Sequence, residues 1–289
     1  MSPREPSTTP GAKATVQAEQ PAPLSKVAAA LSEAVARLTG GGADPDRPDE
    51  DATADESDRR GVAAALGGVM SSLAGAARVG GKGAVVGGNF LADLLTTTAT
   101  RLPLRDKATL INQHPGLDTE QLADSLVLAA ARVSGAIGGA AGGLAAAQWL
   151  ITPSLIALPV ELAAETLLVA AVELKLVAEL HEIYDARPPG DLGDRAPAYL
   201  NSWTAQRGLS GDGRTAGLAS RLASAGTAAL RKRITGRLAR NLGSFLPFLA
   251  GAVIGARNNS SSTQTLGKRL RADLSLHPQL IPSHRLARP

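Results

Sequence analysis

The sequence predicts an all-α protein, a compact bundle of Gly/Ala-rich helices that follows a disordered N-terminal extension. Apolar residues recur at helical spacing in several segments, and no useful length of chain alternates apolar and polar residues as a strand does. Only 2% of the 289 residues are aromatic, although 44% are hydrophobic. Strands favour aromatic and β-branched residues, so this composition argues against β-sandwiches and most β-barrels.

The first 60 residues are predicted to form a disordered, acidic extension that carries one short helix. Residues 1–22 are rich in Pro, Ser, Thr, Ala and Gln, and the acidic stretch 43–60 has almost no large apolar side chain. Between them, apolar residues at helical spacing predict an amphipathic helix over 24–39. This helix either packs on the main domain, which is the interpretation we favour, or docks on a partner as a detachable segment.

A helical domain is predicted over residues 61–275, and a flexible basic tail over 276–289. Two helices come first, separated by the glycines of 80–83. Residues 101–117 contain two prolines and a glycine and are interpreted as a loop. Asp118, with a glutamine three residues later, is a plausible N-cap for the helix that leads into the most apolar part of the chain.

That part is the stretch 133–160, which contains no charged residue and no histidine. It is long enough to cross a bilayer, for which about 20 apolar residues suffice. Glycines, alanines and polar side chains dilute its strongly apolar residues, which makes a single span marginal. Pro153 and Pro159 are expected to divide the stretch into two helices. Spanning the membrane and lying at its surface therefore both stay open.

Small residues recur here at the spacing that lets two helix backbones touch. Three overlapping GxxxG pairs lie in the uncharged stretch and a fourth lies farther on. The predicted helix-packing residues are Gly135, Gly138, Gly139, Gly142, Gly143, Gly251 and Gly255. Such contacts are typical of membrane helices, and the same geometry also serves tight packing in a soluble Ala-rich bundle.

The remaining elements are, in order, a long helix over 159–184, a short helix from Asp194 with Pro197 near its start, a long helix over 215–242, an uncharged run over 241–256, a turn at 258–262 and a last helix.

Positive charge is concentrated in the last third of the chain. Residues 186–289 carry 16 of the 30 basic side chains and only 4 of the 26 acidic ones. Five cations of the helix predicted over 215–242 are expected to bind anionic lipid: Arg231, Lys232, Arg233, Arg237 and Arg240. A solvated face and an acidic partner are the alternatives. No aromatic residues are interleaved with these cations, so sequence-specific nucleic-acid binding is not expected.

No catalytic, cofactor-binding or metal-binding constellation is predicted. The absence of cysteine excludes disulfides, thiolate metal sites and cysteine nucleophiles. The glycines of 80–83 do not complete a phosphate-binding loop, since Gly83 stands where Ser or Thr is needed. His181 lies among carboxylates, and a solvated helix end explains this cluster best. Glu161 and Glu165, one turn apart, could serve as acid and base, but capping within the bundle or contacts with a partner are favoured.

Two blocks of the chain resemble the EcsC family of bacterial proteins. The first, over 118–185, runs from a polar helix start through a Gly/Ala-rich segment and two prolines to a long helix closing on Ile183-Tyr184-Asp185. The second begins at Leu246-Pro247-Phe248 and passes through Gly251 and Gly255 to a helix with Gly267 and Lys268. Family members often have Gly after the Tyr, where this chain has Asp185.

The resemblance, which covers about residues 118–275, implies an α-helical hydrophobic protein at the cytoplasmic membrane. The founding member is encoded with an ABC transporter, and no reaction is established for the family.

We therefore expect a non-catalytic, membrane-associated helical protein on the cytoplasmic side, with 133–160 and 243–256 in or on the bilayer. The first residues lack the apolar core of a signal peptide, so secretion is not expected. The expected partners are the membrane surface or bilayer and, beside it, a membrane protein or a second copy of this chain. The alternatives are a soluble helical adaptor, which binds a protein through the 24–39 helix or the basic face, and a lipid-acting enzyme.

Overall fold

The computed structural model describes residues 22–40, 52–81, 88–151, 158–208 and 247–276, and all regular structure within these ranges is helical. The helices are α1 (Ala22–Gly40), α2 (Ala52–Gly80), α3 (Gly88–Ala99), α4 (Lys107–Gln113), α5 (Thr119–Ile151), α6 (Leu158–Ile183), α7 (Leu192–Gln206) and α8 (Pro247–Leu276). The prediction of an all-α bundle is confirmed. The helix predicted over 215–242, the tail after Leu276 and the first 21 residues lie outside the described ranges.

Helix α6 is the centre of the bundle and contacts each of the other described helices. Its residues 167–180 are buried without interruption, because every face of the helix meets a neighbour. Leu, Val and Ala occupy most of these positions, and the exceptions are Glu173, Lys175 and Glu179. Helix α5 ends at Ile151 and α6 begins at Leu158, in agreement with the predicted division into two helices.

Helix α1 packs on the bundle as an arm, since it contacts α2, α3, α5 and α6. Its buried apolar face consists of Leu24, Val27, Ala28, Leu31, Ala34 and Val35. The Ser32 hydroxyl donates to the carbonyl of Arg101 at 2.5 Å, which ties α1 to the end of α3. Its apolar face is therefore occupied and not free for docking. Helix α2 begins at Ala52, inside the stretch predicted to be a linker.

Two predicted irregular segments are helical in the structure. Helix α4 lies inside the predicted loop 101–117, where Asp106 caps the helix by accepting from the Thr109 amide at 2.8 Å. Helix α8 continues through the predicted turn at 258–262. Asn and Ser are poor helix formers in isolation, and here their side chains bond to other helices, so tertiary contacts override local propensity.

The starts of α5 and α7 follow capping chemistry. Asp118 and Gln121 form the predicted reciprocal cap, with the Gln121 amide donating to the Asp118 carboxylate at 2.8 Å. Helix α7 begins three residues earlier in the chain than Asp194 suggests, because Asp191 is the N-cap and Asp194 completes its capping box. Pro197 consequently lies inside α7 rather than at its first position.

Candidate functional site

Helices α5 and α8 run antiparallel and meet backbone to backbone at Gly138 and Gly255. A Cβ atom built on Gly138 would lie 2.5 Å from Asn259 Nδ2 and would collide with the Gly255 carbonyl oxygen. A Cβ atom on Gly255 would collide in turn with the Gly138 carbonyl oxygen. One built on Gly135 would lie 3.2 Å from the Ala256 carbonyl oxygen. Only glycine allows this approach at the two central positions.

The other glycines of the predicted set are in less crowded places. A Cβ atom on Gly139 would make an ordinary 3.6 Å contact with Ala256, and one on Gly143 would have nothing within 4 Å. Gly142 is half-buried on α5. The contacts around Gly251 are not among those that the structure describes. Gly267 was noted only as part of the EcsC-like block and not among the predicted packing residues, yet an added Cβ there would come within 2.6 Å of the Val127 side chain.

The described parts of two uncharged runs, 133–151 on α5 and 247–256 on α8, lie side by side at one end of this helix pair. In the antiparallel register, residues 139–151 of α5 extend from the Gly138 contact towards the start of α8 at Pro247. Arg132 directly precedes the first run and Arg257 directly follows the second, and both border one groove between the helices. Beyond this groove, towards the start of α8, the described residues of both helices carry no charge.

Apolar side chains are exposed at this uncharged end. Leu144 is 38% exposed, Val253 52% and Ile254 43%. Within the described residues, two helical segments are long and apolar enough to cross a membrane, Asp58–Gly80 and Thr119–Leu144. Both are partly buried in the bundle, and core helices of soluble proteins share such lengths and compositions.

The opposite end of the pair is held by charges. Arg271 of α8 donates to the Glu120 carboxylate at 2.7 Å and forms a second ion pair with Asp124. The Tyr184 hydroxyl also donates to Glu120, at 2.8 Å. The hydrogen bonds from Arg271 and Tyr184 lower the pKa of the Glu120 carboxyl. The pair thus has one charged end and one uncharged end.

Glu173 of α6 is a fully buried carboxylate with four hydrogen bonds. It accepts from Trp203 Nε1 at 3.0 Å, from Thr263 Oγ1 at 2.7 Å and from two nitrogens of Arg207, of which Nε lies at 2.9 Å. These partners belong to the end of α7 and the middle of α8. Glu173 is therefore a structural junction of three helices, with its charge neutralised and both oxygens satisfied.

Glu179 forms the second buried junction. Arg105 binds it through two parallel hydrogen bonds of 2.8 Å, and Lys175 pairs with the same carboxylate from one turn earlier in α6. Burial lowers the pKa of Lys175, and the adjacent Glu179 opposes this effect. This ion-pair cluster fixes the segment before α4 on the central helix.

Glu161 and Glu165, the candidate acid and base, both lie in the interior of the bundle, with exposed fractions of 6% and 5%. Asn259 donates to Glu165 at 3.1 Å, while one oxygen of Glu161 is buried without a hydrogen-bond partner. The structure thus brings Glu165 into contact with α8, which agrees with a role within the bundle.

The cluster around His181 is less solvated than predicted. The His181 ring packs edge-on against Tyr199 with centroids 5.5 Å apart, and its Nδ1 lies 2.7 Å from the Val177 carbonyl oxygen. Burial lowers the pKa of His181 and raises that of Glu182. Within the described residues, no group of three or more His, Asp or Glu side chains is arranged to hold a metal ion.

The five predicted lipid-binding cations, Arg231, Lys232, Arg233, Arg237 and Arg240, lie outside the described residues. The structure adds Arg132 and Arg257, which sequence analysis did not single out. Their signal was present, since each borders an uncharged run. Comparison of the chain with protein-family models, with curated proteins and with solved structures finds no match.

Proposed function

We propose that the protein is a non-catalytic, membrane-associated helical protein on the cytoplasmic side, whose uncharged ends of α5 and α8 enter the lipid. One observation carries the proposal: two uncharged runs that are far apart in the chain lie together at one end of an antiparallel pair. Exposed faces of helices in water normally carry charged and polar side chains. Here Val253 and Ile254 are exposed instead.

The length of the shared uncharged end fits one leaflet of a bilayer. Residues 247–256 of α8 extend for about 15 Å at 1.5 Å per residue. The hydrocarbon core of a bilayer is about 30 Å thick, so this segment reaches about its midplane. Arg132 and Arg257 would then lie at the headgroup level, where long cationic side chains are favoured. For α8 this arithmetic favours insertion into one leaflet, whereas residues 133–151 of α5 extend for about 28 Å, close to the full thickness of the core.

The basic segment of the chain supports the same proposal through its charge. Lys and Arg residues near an anionic surface contribute about 1 kcal/mol each. Replacing all five by Gln is expected to lower binding to anionic vesicles, and unchanged binding would contradict their assigned role. These five are Arg231, Lys232, Arg233, Arg237 and Arg240. We also propose that the chain is related to the EcsC family, which it resembles over about residues 118–275. That relationship implies a location at the cytoplasmic membrane.

Membrane fractionation of variant chains tests the proposal. We expect the wild-type protein in the membrane pellet, resistant to high salt and released by detergent. Val253→Asp places a charge in the uncharged end and is expected to move the protein into the salt or carbonate wash. Leu276→Asp is the matched control, because Leu276 is an exposed apolar residue at the opposite end of α8.

Three results would contradict the proposal in different ways. Wild-type protein that stays in the soluble fraction would favour the helical adaptor, with Val253 and Ile254 as part of a protein interface. Equal behaviour of Val253→Asp and Leu276→Asp would mean that the uncharged end does not contact lipid. Consumption of a lipid by the pure protein, lost in Glu165→Gln, would favour the enzyme instead.

A further inference from the structure

An open groove, lined by small apolar residues and bordered by polar ones, lies where the charged part of the α5–α8 pair meets its uncharged end. The groove has a volume of about 530 Å³ and is open to the surface. Three of the residues that line it are small: Gly135 and Ala136 on α5 and Ala256 on α8. Because these side chains are small or absent, the groove is a shallow, open depression along the line where the two helices meet.

Arg132 and Arg257 border the groove from opposite helices. Both side chains are exposed, and among the described residues no ion pair or hydrogen bond involves either of them. Ser260 and Ser261 line the same groove and add two hydroxyl groups that can donate hydrogen bonds. Two guanidinium groups that border one groove together with hydroxyls are suited to a phosphate group, since arginine donates paired, charge-assisted hydrogen bonds to such oxygens.

The surroundings of the groove indicate where the rest of the ligand lies. Ala136 is exposed one turn beyond Arg132, and Val253 is exposed one turn before Arg257. Both turns belong to the uncharged end, so an apolar chain attached to the phosphate would continue along uncharged helix surface. A soluble phosphate compound would leave this adjacent apolar surface exposed to water.

We propose that this groove binds the phosphate group of an anionic membrane phospholipid, with Arg132 and Arg257 as its two cationic contacts. This inference rests on the proposed membrane association and goes beyond it, because it assigns a defined headgroup site to two residues. The lipid phosphate lies between the guanidinium groups, and the acyl chains lie along Ala136 and Val253.

Flotation of the full-length protein with vesicles tests the site. The vesicles contain phosphatidylcholine alone or phosphatidylcholine mixed with phosphatidylglycerol. We expect Arg132→Gln and Arg257→Gln each to weaken binding to the anionic vesicles about five-fold, and the double variant to weaken it by more. Lys268→Gln, which removes an exposed charge from the same helix away from the groove, is the matched control. Arg257→Lys is expected to recover part of the binding.

The outcomes separate this site from the proposed function. If the arginine variants bind anionic vesicles as the Lys268→Gln variant does, the site is wrong, while association of the wild type with vesicles still stands. If the wild-type protein binds neither kind of vesicle, both proposals fail. If inorganic phosphate alone binds in titration calorimetry, is lost in Arg257→Gln and displaces no protein from vesicles, the groove is a site for free phosphate and the lipid assignment is overturned.

Discussion

Replacing Gly138 by alanine tests the backbone contact between α5 and α8. The added Cβ atom would collide with the carbonyl oxygen of Gly255, which is part of a helix and cannot rotate away. Overpacking of this kind typically costs about 1–3 kcal/mol, and a clash with backbone belongs at the upper end of that range. Alanine also stabilises the helix by about 0.5–1 kcal/mol relative to glycine, because its helix propensity is higher. We expect a net loss of about 1–2 kcal/mol for Gly138→Ala.

Two neighbouring glycines provide controls in the same helix. Gly139→Ala makes only an ordinary 3.6 Å contact, and Gly143→Ala meets no atom within 4 Å. Both are therefore expected to keep the stability unchanged or to raise it by up to about 1 kcal/mol. Chemical unfolding followed by circular dichroism measures the differences. Equal stability of Gly138→Ala and Gly139→Ala would refute the close contact at Gly138.

Two further predictions concern the buried polar groups. Burial lowers the pKa of His181 below its ordinary value of 6.5, so the unfolded chain takes up a proton first as the pH falls. The stability contributed by neutral His181 is therefore lost as the pH falls below 6.5 towards the lowered native pKa, and His181→Phe is expected to flatten this part of a stability–pH curve. Arg207→Met leaves Glu173 buried without its cation and is expected to cost about 3–5 kcal/mol in urea unfolding. If Arg207→Met lowers the free energy of unfolding no more than the same substitution of an exposed arginine does, the role of Glu173 as a structural junction is contradicted.

The helices of the bundle were predictable where their apolar residues are periodic. Val62, Leu66, Val69 and Leu73 are all buried on α2, as their spacing indicates. The cap at Asp118 could be predicted because its partner is only three residues away. Helix α4 was missed since, among its seven residues, Leu110 is the only one that is buried, which leaves no apolar period to detect.

The polar junctions could not be predicted from the sequence, because their partners are distant in the chain. Glu173 bonds to Arg207 and Thr263, which follow it by 34 and 90 residues. Sequence spacing indicates which residues share a face of α6, but it does not indicate which side chains of α7 and α8 reach that face. For the same reason, the sequence did not indicate that Arg132 and Arg257 border one groove, because they are far apart in the chain. Each of them nevertheless flanks an uncharged run.

The proposed membrane association gives a physical reason why the glycine contact and the uncharged end belong to the same helix pair. In water, two helices are held together largely by burial of apolar surface, and this force disappears between helices surrounded by lipid chains. The close backbone contact at Gly138 and Gly255 is stabilised by dispersion attraction between the atoms of the two helices. This attraction depends on the distance between the atoms and not on whether water or lipid surrounds the pair. A pair joined in this way stays associated whether its end is in water or in lipid. An adaptor that remains in water does not need this property, whereas a protein that transfers one end of a helix pair into the membrane does.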